Sequence, residues 1–422
     1  MQLQNYIVLL LLALMLVGCS ATHKLMPTPN IYTNPGSYPD ESVPQGLKSS
    51  KVDLLFVTDR VPEIIADGLL EYGTGRSASV GFGSTIVEIG NDLSWQELVK
   101  LSETSSRDFS PSIRVISRNE IGRFPETPYT IIEDKGKIRY NPETQIKYEK
   151  VATQFRQEIN RRMSEVDSNE VQIFIHGFNN SFDEGAVSLA ELWHFLGRNG
   201  VPLLYSWPAA QGGLLGYFID RESGEFTIFH LKKLFKLLAS FPEVERINLI
   251  AHSRGAAIAA TALRELIIEA RAGGHDPLEL YRIRNWILPA PDLDFDIVRQ
   301  RLMAEKLGLA FGQITIYTTN TDKALSLSQT LLSGIPSGRI RVSDLGRQEQ
   351  AIFKAIKNVT FIDVLGARGF IDHSYYLNNP STSSDIIRVI NNGAKPGSPE
   401  RPLTHRMLNF WEMPVDYPGS VD

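Results

Sequence analysis

Residues 247–255 read INLIAHSRG. A mostly apolar run leads into Ser253, and a small residue lies two positions before the serine and another two positions after it. An Ala-rich stretch with helical periodicity follows at 256–270. A strand that enters small-x-Ser-x-Gly and continues into a helix is typical of a nucleophile elbow, whose sharp turn exposes the serine hydroxyl at the edge of a sheet. Crowding at that turn favours small side chains such as Ala251 and Gly255. The sequence therefore predicts Ser253 as a catalytic nucleophile.

Apolar runs alternate with helix-permissive stretches on both sides of this turn. Such alternation predicts an α/β fold whose mostly parallel central sheet is flanked by helices. The region 59–170 is irregular in pattern, and two interpretations stay open for it: a lid or cap over the site, or a surface for a partner. Strands are predicted at 52–57, 171–175, 201–206, 246–251, 284–288, 314–318 and 359–364, and helices at 184–196, 226–239 and 256–270.

A nucleophilic serine needs a base, and the chain offers eight histidines. In chains with this elbow the acid and then the histidine follow the serine. Five histidines precede Ser253 or adjoin it on its N-terminal side, so they are set aside. Of the remaining three, His275 comes too soon and His405 lies in a polar tail, whereas His373 follows the last predicted strand. We therefore predict His373 as the base.

Two aspartates are candidates for the acid that orients this histidine. Asp322 follows the strand predicted at 314–318, which is the usual place for the acid. Asp292 follows the strand predicted at 284–288. We favour Asp322, and Asp292 is then expected to be a structural carboxylate that caps a helix beginning near residue 296.

An oxyanion hole requires two backbone N–H groups aimed at one point. The residue after the nucleophile, Arg254, supplies one of them. The strand predicted at 171–175 runs into His176-Gly177-Phe178-Asn179, and we assign the second N–H to Phe178. The His176 side chain is expected to brace this turn.

Charge and cysteine content exclude several classes of protein. The chain has 422 residues, and 43 Lys and Arg against 48 Asp and Glu give a formal charge of −5, so a nucleic-acid partner is not expected. Its one cysteine, Cys19, excludes an intramolecular disulfide framework and a cysteine-ligated zinc or iron–sulfur site. We expect no metal and no cofactor. The sequence does not predict the oligomeric state.

The N-terminal residues have the pattern of an export signal. Residues 6–17 are an apolar run too short to span a bilayer, and the Leu-Val-Gly-Cys that follows resembles a bacterial lipobox. We expect a signal peptide over 1–18, lipid attachment at Cys19, a flexible tether over 19–50, a hydrolase domain over 51–395 and a tail over 396–422. Ser20 after the cysteine favours the outer membrane, facing the periplasm, by resemblance to Gram-negative lipoproteins.

These motifs in their order resemble those of a bacterial α/β-hydrolase family of poorly defined function, over residues 52–391. The resemblance implies an α/β-hydrolase fold, a Ser-Asp-His triad and esterase or lipase-like activity. Arg254 departs from this resemblance, because a neutral residue is expected at that position. Two interpretations stay open: the cation favours an anionic substrate, or Arg254 is an exposed residue at the start of a helix. The matching motifs are Thr58-Asp59-Arg60, His176-Gly177-Phe178-Asn179, Ser206-Trp207-Pro208, Tyr217, Asp220, the elbow, Ala290-Pro291-Asp292, Asp322-Lys323-Ala324-Leu325 and His373-Ser374-Tyr375.

Two functions from different classes fit this sequence. The first is a membrane-anchored serine hydrolase that cleaves carboxylic esters of acyl or lipid-like substrates through an acyl-enzyme intermediate. The alternative is a non-catalytic envelope lipoprotein that uses the hydrolase scaffold for binding. A complete serine, acid and histidine in the expected order favours the enzyme.

Overall fold

The strand that precedes Ser253, Arg246–Ala251, lies at the centre of an eleven-stranded mixed sheet. The computed structural model describes residues 23–65, 68–210, 212–319, 337–365 and 372–419. The described strands are β1 Lys51–Ile64, β2 Leu70–Ile89, β3 Ile113–Arg123, β4 Ile131–Asp134, β5 Lys137–Tyr140, β6 Glu170–Ile175, β7 Val201–Ser206, β8 Arg246–Ala251, β9 Ile283–Pro289, β10 Gln313–Thr318, β11 Val359–Val364, β12 Thr404–Met407 and β13 Phe410–Met413.

Most neighbours in this sheet run parallel. The order is β12-β13-β11-β10-β9-β8-β6-β7-β1-β2-β3, and every pair from β13 to β1 is parallel. β12, β2 and β3 pair antiparallel at the two sides, and β4 pairs with β5 in a separate hairpin. β6 and β8 are buried over nearly their whole length, as expected of parallel strands covered on both faces.

Helices occupy most of the connections between these strands. Those of eight or more residues are α1 Trp95–Ser102, α2 Pro142–Val166, α3 Phe182–Phe195, α4 Gly213–Ala239, α5 Arg254–Ala272, α6 Arg347–Ala355 and α7 Pro380–Asn392. Shorter helical segments are Asn30–Tyr32, Asp40–Ser42, Gln45–Leu47, Pro277–Tyr281, Phe295–Ile297, Val298–Met303, Leu307–Ala310, Ser337–Arg339, Val342–Asp344, Asp372–Ser374 and Tyr375–Asn378. Among the described residues, no helix is both long and apolar enough to cross a bilayer.

The predicted mostly parallel sheet with flanking helices is confirmed. The predicted strands agree with β6 to β11 to within one residue at each end, except that β1 continues to Ile64. α4 begins at Gly213, well before the expected residue 226. The carboxyl ends of β6, β8, β9 and β11 meet at one edge, so the loops that follow them are brought together there.

Three expected boundaries need correction. Residues 59–170 are not a separate lid: β1, β2 and β3 extend the sheet, and α2 leads into β6. Residues 396–422 are not a loose tail over their described part, because β13 pairs with β11 and the buried Tyr417 hydroxyl donates to Asp385 Oδ1 at 2.7 Å. Long-range pairing of this kind leaves no local pattern in a sequence.

The expected tether is also wrong for residues 23–50, which pack against the domain. The Met26 N–H donates to Glu191 Oε1 at 2.6 Å, and Tyr38 donates to the His194 carbonyl at 2.9 Å. Prolines at 29, 39 and 44 begin short 3₁₀ turns. A Pro-rich composition suggested a linker, but the apolar side chains between the prolines are buried: Leu25, Met26, Tyr32, Tyr38 and Val43.

Candidate active site

Ser253 lies on the turn between β8 and α5 in a backbone conformation that non-glycine residues rarely adopt. Its φ is 51° and its ψ is −121°, which is strained for a residue with a Cβ atom. Neighbouring backbone holds it there: the Ser253 N–H donates to the Pro289 carbonyl at 3.2 Å, and the Ser253 carbonyl accepts from Asp292 N–H at 3.1 Å. The geometry is that of the expected elbow.

Gly255 allows α5 to approach β6 closely. A Cβ atom at Gly255 would lie 2.5 Å from the His176 carbonyl oxygen and 2.8 Å from that of Ile175. These are backbone atoms that cannot move away alone. The elbow therefore needs glycine at this position for close packing.

His373 lies against the nucleophile. Its Nε2 is 2.5 Å from Ser253 Oγ, which is hydrogen-bond distance. The His252 Nε2–H donates to the His373 carbonyl at 3.0 Å, and the two rings lie 4.9 Å apart. The histidine that sequence order assigned as base is thus beside the serine, and its neighbour His252 fixes its backbone.

The predicted acid, Asp322, lies outside the described residues. So does Cys19, the predicted site of lipid attachment. Asp292 is buried next to the elbow, and Tyr217 donates to its Oδ2 at 2.8 Å. The expected helix cap is wrong, because Asp294 rather than Asp292 accepts the Ile297 N–H.

The hydrogen bonds of the turn after β6 lie on either side of Phe178 N–H. Gly177 N–H donates to Asn180 Oδ1 at 3.1 Å, and Asn179 N–H donates to Asp220 Oδ2 at 2.9 Å. Between them, Phe178 N–H has no acceptor among the described residues. Arg254 N–H is at the first position of α5, where the helix offers no acceptor.

This turn lies directly beside the nucleophile. A Cβ atom built on Gly177 would lie 2.9 Å from Ser253 Cβ and 2.9 Å from His252 Nδ1. Phe178 and Arg254 are thus brought to the serine from two different loops, as an oxyanion hole requires.

A buried arginine supports the turn from below. The Arg60 guanidinium donates to the Asn180 carbonyl at 2.8 Å and to Ser206 Oγ at 2.9 Å. Further bonds reach the carbonyls of Gly73 at 2.9 Å and Ala209 at 3.0 Å. Burial lowers the pKa of Arg60 to about 10, so it stays charged at neutral pH.

His176 braces the same turn, as its position in the sequence suggested. Its ring stacks on Trp207 with centroids 5.4 Å apart, and Trp207 Nε1–H donates to the His176 carbonyl at 2.8 Å. Burial, with a smaller effect of Arg60, holds the pKa of His176 well below its ordinary value. A neutral ring with Nδ1–H toward the Gly177 carbonyl, 3.0 Å away, can accept from Arg60 through Nε2.

The family model of α/β hydrolases of unknown function, DUF900, matches residues 151–392. This is 392 − 151 + 1 = 242 of the 422 residues, more than half of the chain. The chain belongs to this family. No curated protein matches the sequence significantly.

The DUF900 match includes Phe178, Ser253 and His373 but not β1 to β3. Arg60 therefore reaches the site from outside the matched region. Sequence reasoning quoted Arg60, Tyr217 and Asp220 as motif members without a role. A charged residue inside an apolar strand, as in Thr58-Asp59-Arg60, was the signal that Arg60 is buried and bonded.

An Asp-His-hydroxyl array elsewhere in this DUF900 protein lacks an oxyanion donor after its hydroxyl residue. Asp59 Oδ2 is 3.0 Å from His230 Nδ1, and His230 Nε2 is 3.1 Å from Thr127 Oγ1. The residue after Thr127 is Pro128, which has no N–H to stabilise an oxyanion. The array therefore joins β1 to α4.

Among the described residues, no group of three or more His, Cys, Asp or Glu could hold a metal ion.

Proposed function

We propose that this α/β hydrolase cleaves carboxylic esters, with Ser253 as nucleophile and His373 as general base. The observation that carries the proposal is the 2.5 Å separation of Ser253 Oγ and His373 Nε2 on a strained elbow. Membership in a hydrolase family supports the reaction class.

The proposed reaction has two stages, acylation of Ser253 and hydrolysis of the acyl-enzyme. Ser253 Oγ attacks the carbonyl carbon while His373 Nε2 takes the hydroxyl proton, and the oxyanion accepts from Phe178 and Arg254 N–H. His373 then gives the proton to the departing alcohol, which leaves an acyl-serine ester. Water attacks this ester with His373 again as base, and the carboxylic acid departs as Ser253 regains its proton.

The acid that orients His373 is proposed to be Asp322, with Asp292 as the alternative. The variants Asp322→Asn and Asp292→Asn distinguish these two candidates by their effect on kcat. Substitution of the true acid should lower kcat by several orders of magnitude, because the imidazole loses its tautomer. Asp292→Asn keeps an acceptor for Tyr217 and should cost far less if Asp322 is the acid.

An apolar crevice beside the elbow supports an acyl substrate. Its lining is mostly apolar, and Pro291 and Leu293 belong to it. Pro291 lies within the 289–292 turn, whose two ends bond the Ser253 backbone. The inner wall comes from neighbouring strands through Leu288, Ile316 and Phe361. We propose that the acyl chain lies in this crevice.

Anchoring to a membrane through a lipid on Cys19 is also proposed, with the protein on the outer membrane facing the periplasm. The lipobox-like residues 16–19 support it. Cys19→Ser should abolish incorporation of labelled fatty acid and release the protein from the membrane fraction. Unchanged incorporation would contradict the anchor.

Hydrolysis of p-nitrophenyl esters by the full chain tests the proposed function. Ser253→Ala and His373→Ala should each abolish turnover, while kcat/KM should rise up to about fourfold per methylene as the acyl chain lengthens. No turnover by folded protein on any ester would favour the alternative, a binding scaffold that has kept the hydrolase fold.

A further inference from the structure

The side chain of Arg254 is a partly buried cation for which the described residues supply no partner. The sequence left open whether it favours an anionic substrate or is an exposed residue at a helix start; it is not exposed. Its Nε is shielded from solvent without an acceptor. Throughout the described ranges, no ion pair or hydrogen bond engages its guanidinium.

The fully buried arginines that the structure describes all have hydrogen-bond acceptors within the chain, which for Arg60 and Arg198 are hydroxyl or carbonyl oxygens. Arg401 donates twice to the Asp385 carboxylate, at 2.9 and 2.7 Å, and Arg162 donates to Asp53 Oδ1 at 2.8 Å. Removing a charge from water is costly unless a partner replaces the lost hydration. An unpaired arginine in a partly desolvated place beside a nucleophile therefore indicates a missing anionic partner.

The packing of α4 against α5 shows where this cation lies. Lys232 pairs with Glu265 at 2.7 Å and Lys236 with Glu269 at 2.5 Å, so residues 33 positions apart face each other. Nearer the helix starts, a Cβ atom at Gly224 of α4 would lie 3.1 Å from Ile258 Cγ1 of α5. The start of α5, where Arg254 directly follows Ser253, therefore lies alongside the first half of α4.

Neighbouring carboxylates do not neutralise Arg254. Asp220 accepts from Asn179 N–H at 2.9 Å and Ala210 N–H at 3.3 Å. Asp292 accepts from the Tyr217 hydroxyl at 2.8 Å. In the described part of the chain neither carboxylate forms an ion pair with Arg254.

We infer that the Arg254 guanidinium binds an anionic group, a carboxylate or a phosphate, carried by the substrate close to the ester bond. This inference rests on the proposed esterase function. The planar guanidinium can donate two parallel hydrogen bonds to either anion. Because Arg254 directly follows the nucleophile, only an anion near the scissile bond can reach it while the carbonyl contacts Ser253.

Matched esters test this inference on the full chain. The acyl chain of p-nitrophenyl butyrate ends in a methyl group, whereas that of p-nitrophenyl hydrogen succinate ends in a carboxylate at the same position. Wild type should prefer the succinate, and Arg254→Met should lower the succinate-to-butyrate ratio of kcat/KM at least about tenfold, mainly through KM. Arg254→Lys should retain part of the preference, because it keeps the positive charge but cannot donate two parallel hydrogen bonds.

Arg347→Met is the matched control. Arg347 is also the first residue of a helix, but it is exposed. The control makes the same change in net charge and should leave the ratio unaltered. A preference for butyrate in wild type, or the same ratio in wild type and Arg254→Met, would overturn the inference.

A binding measurement separates this inference from the esterase proposal. Succinate or inorganic phosphate should raise the melting temperature of Ser253→Ala, and the rise should disappear in Ser253→Ala/Arg254→Met. The anion with the larger effect identifies the group. Stabilisation without ester turnover would support the anion site and count against the esterase. Turnover without any stabilisation or succinate preference would do the reverse.

Discussion

One methyl group on Gly177 should disable the site without removing any catalytic side chain. In Gly177→Ala the new Cβ atom would lie 2.9 Å from Ser253 Cβ, whereas ordinary contacts are 3.4–4 Å. The turn or the serine must therefore move by about 3.4 − 2.9 = 0.5 Å to 4 − 2.9 = 1.1 Å. Gly177 is not among the residues with positive φ, so the change is one of contact alone.

A displacement of this size should cost about 100-fold in rate, because the Phe178 N–H no longer points at the oxyanion. The equivalent rise in the barrier is about 2.7 kcal/mol. Overpacking should lower the free energy of unfolding by about 1–3 kcal/mol, which a folded domain can tolerate. The assay is the kcat/KM for a p-nitrophenyl ester beside a thermal melt of the same preparation.

Gly46→Ala is the control for this change. A Cβ atom at Gly46 meets nothing within 4 Å, so the same methyl group is added in open space. The control should keep wild-type rate and stability. A Gly177→Ala protein with wild-type rate would refute the proposed contact between the oxyanion turn and the nucleophile.

Three further changes test other parts of the structure. Asp220→Asn keeps an acceptor for Asn179 N–H but removes its charge, so steady-state kinetics should show kcat about tenfold lower with little change in KM. Burial raises the pKa of Glu191 to about 8, so ionisation of this carboxyl favours the unfolded chain as the pH rises from about 4.5 to 8. The free energy of unfolding of Glu191→Gln should therefore increase relative to wild type by up to about 1.4 kcal/mol per pH unit in that range, as measured by chemical denaturation. A difference in unfolding free energy that does not change with pH would contradict this. Deleting residues 23–50 removes five buried apolar side chains and exposes the surface against which they pack. Each of these side chains stabilises the fold by about 1.5–3 kcal/mol, so circular dichroism should show no cooperative melt for the deletion variant. An unchanged melting temperature would count against the docking of this segment.

The elbow could be predicted because its signals are local. Strand, small residues, serine and helix follow one another within residues 247–270, and the order of the chain then singled out His373. The structure brings His373 to 2.5 Å from Ser253 Oγ. Phe178 was assigned by position after β6, and its N–H, which has no acceptor among the described residues, fits that assignment.

The parts that sequence reasoning missed depend on distant contacts. α4 begins at Gly213 although its first half is rich in glycine, since tight packing overrides weak helix propensity: a Cβ atom at Gly224 would lie 3.1 Å from Ile258 Cγ1. The Arg60 bonds to Asn180 and Ser206 span 120 and 146 positions along the chain. No periodicity or motif encodes such pairings.

Covalent labelling of the nucleophile tests the central claim most directly. The full chain, with Ser253→Ala and His373→Ala beside it, is treated with a fluorophosphonate and the adduct is mapped by mass spectrometry. We predict a single adduct on Ser253 that disappears in Ser253→Ala and forms far more slowly in His373→Ala. Folded protein that gives no adduct, or an adduct on Thr127 instead, would contradict the assignment of Ser253 as the activated nucleophile.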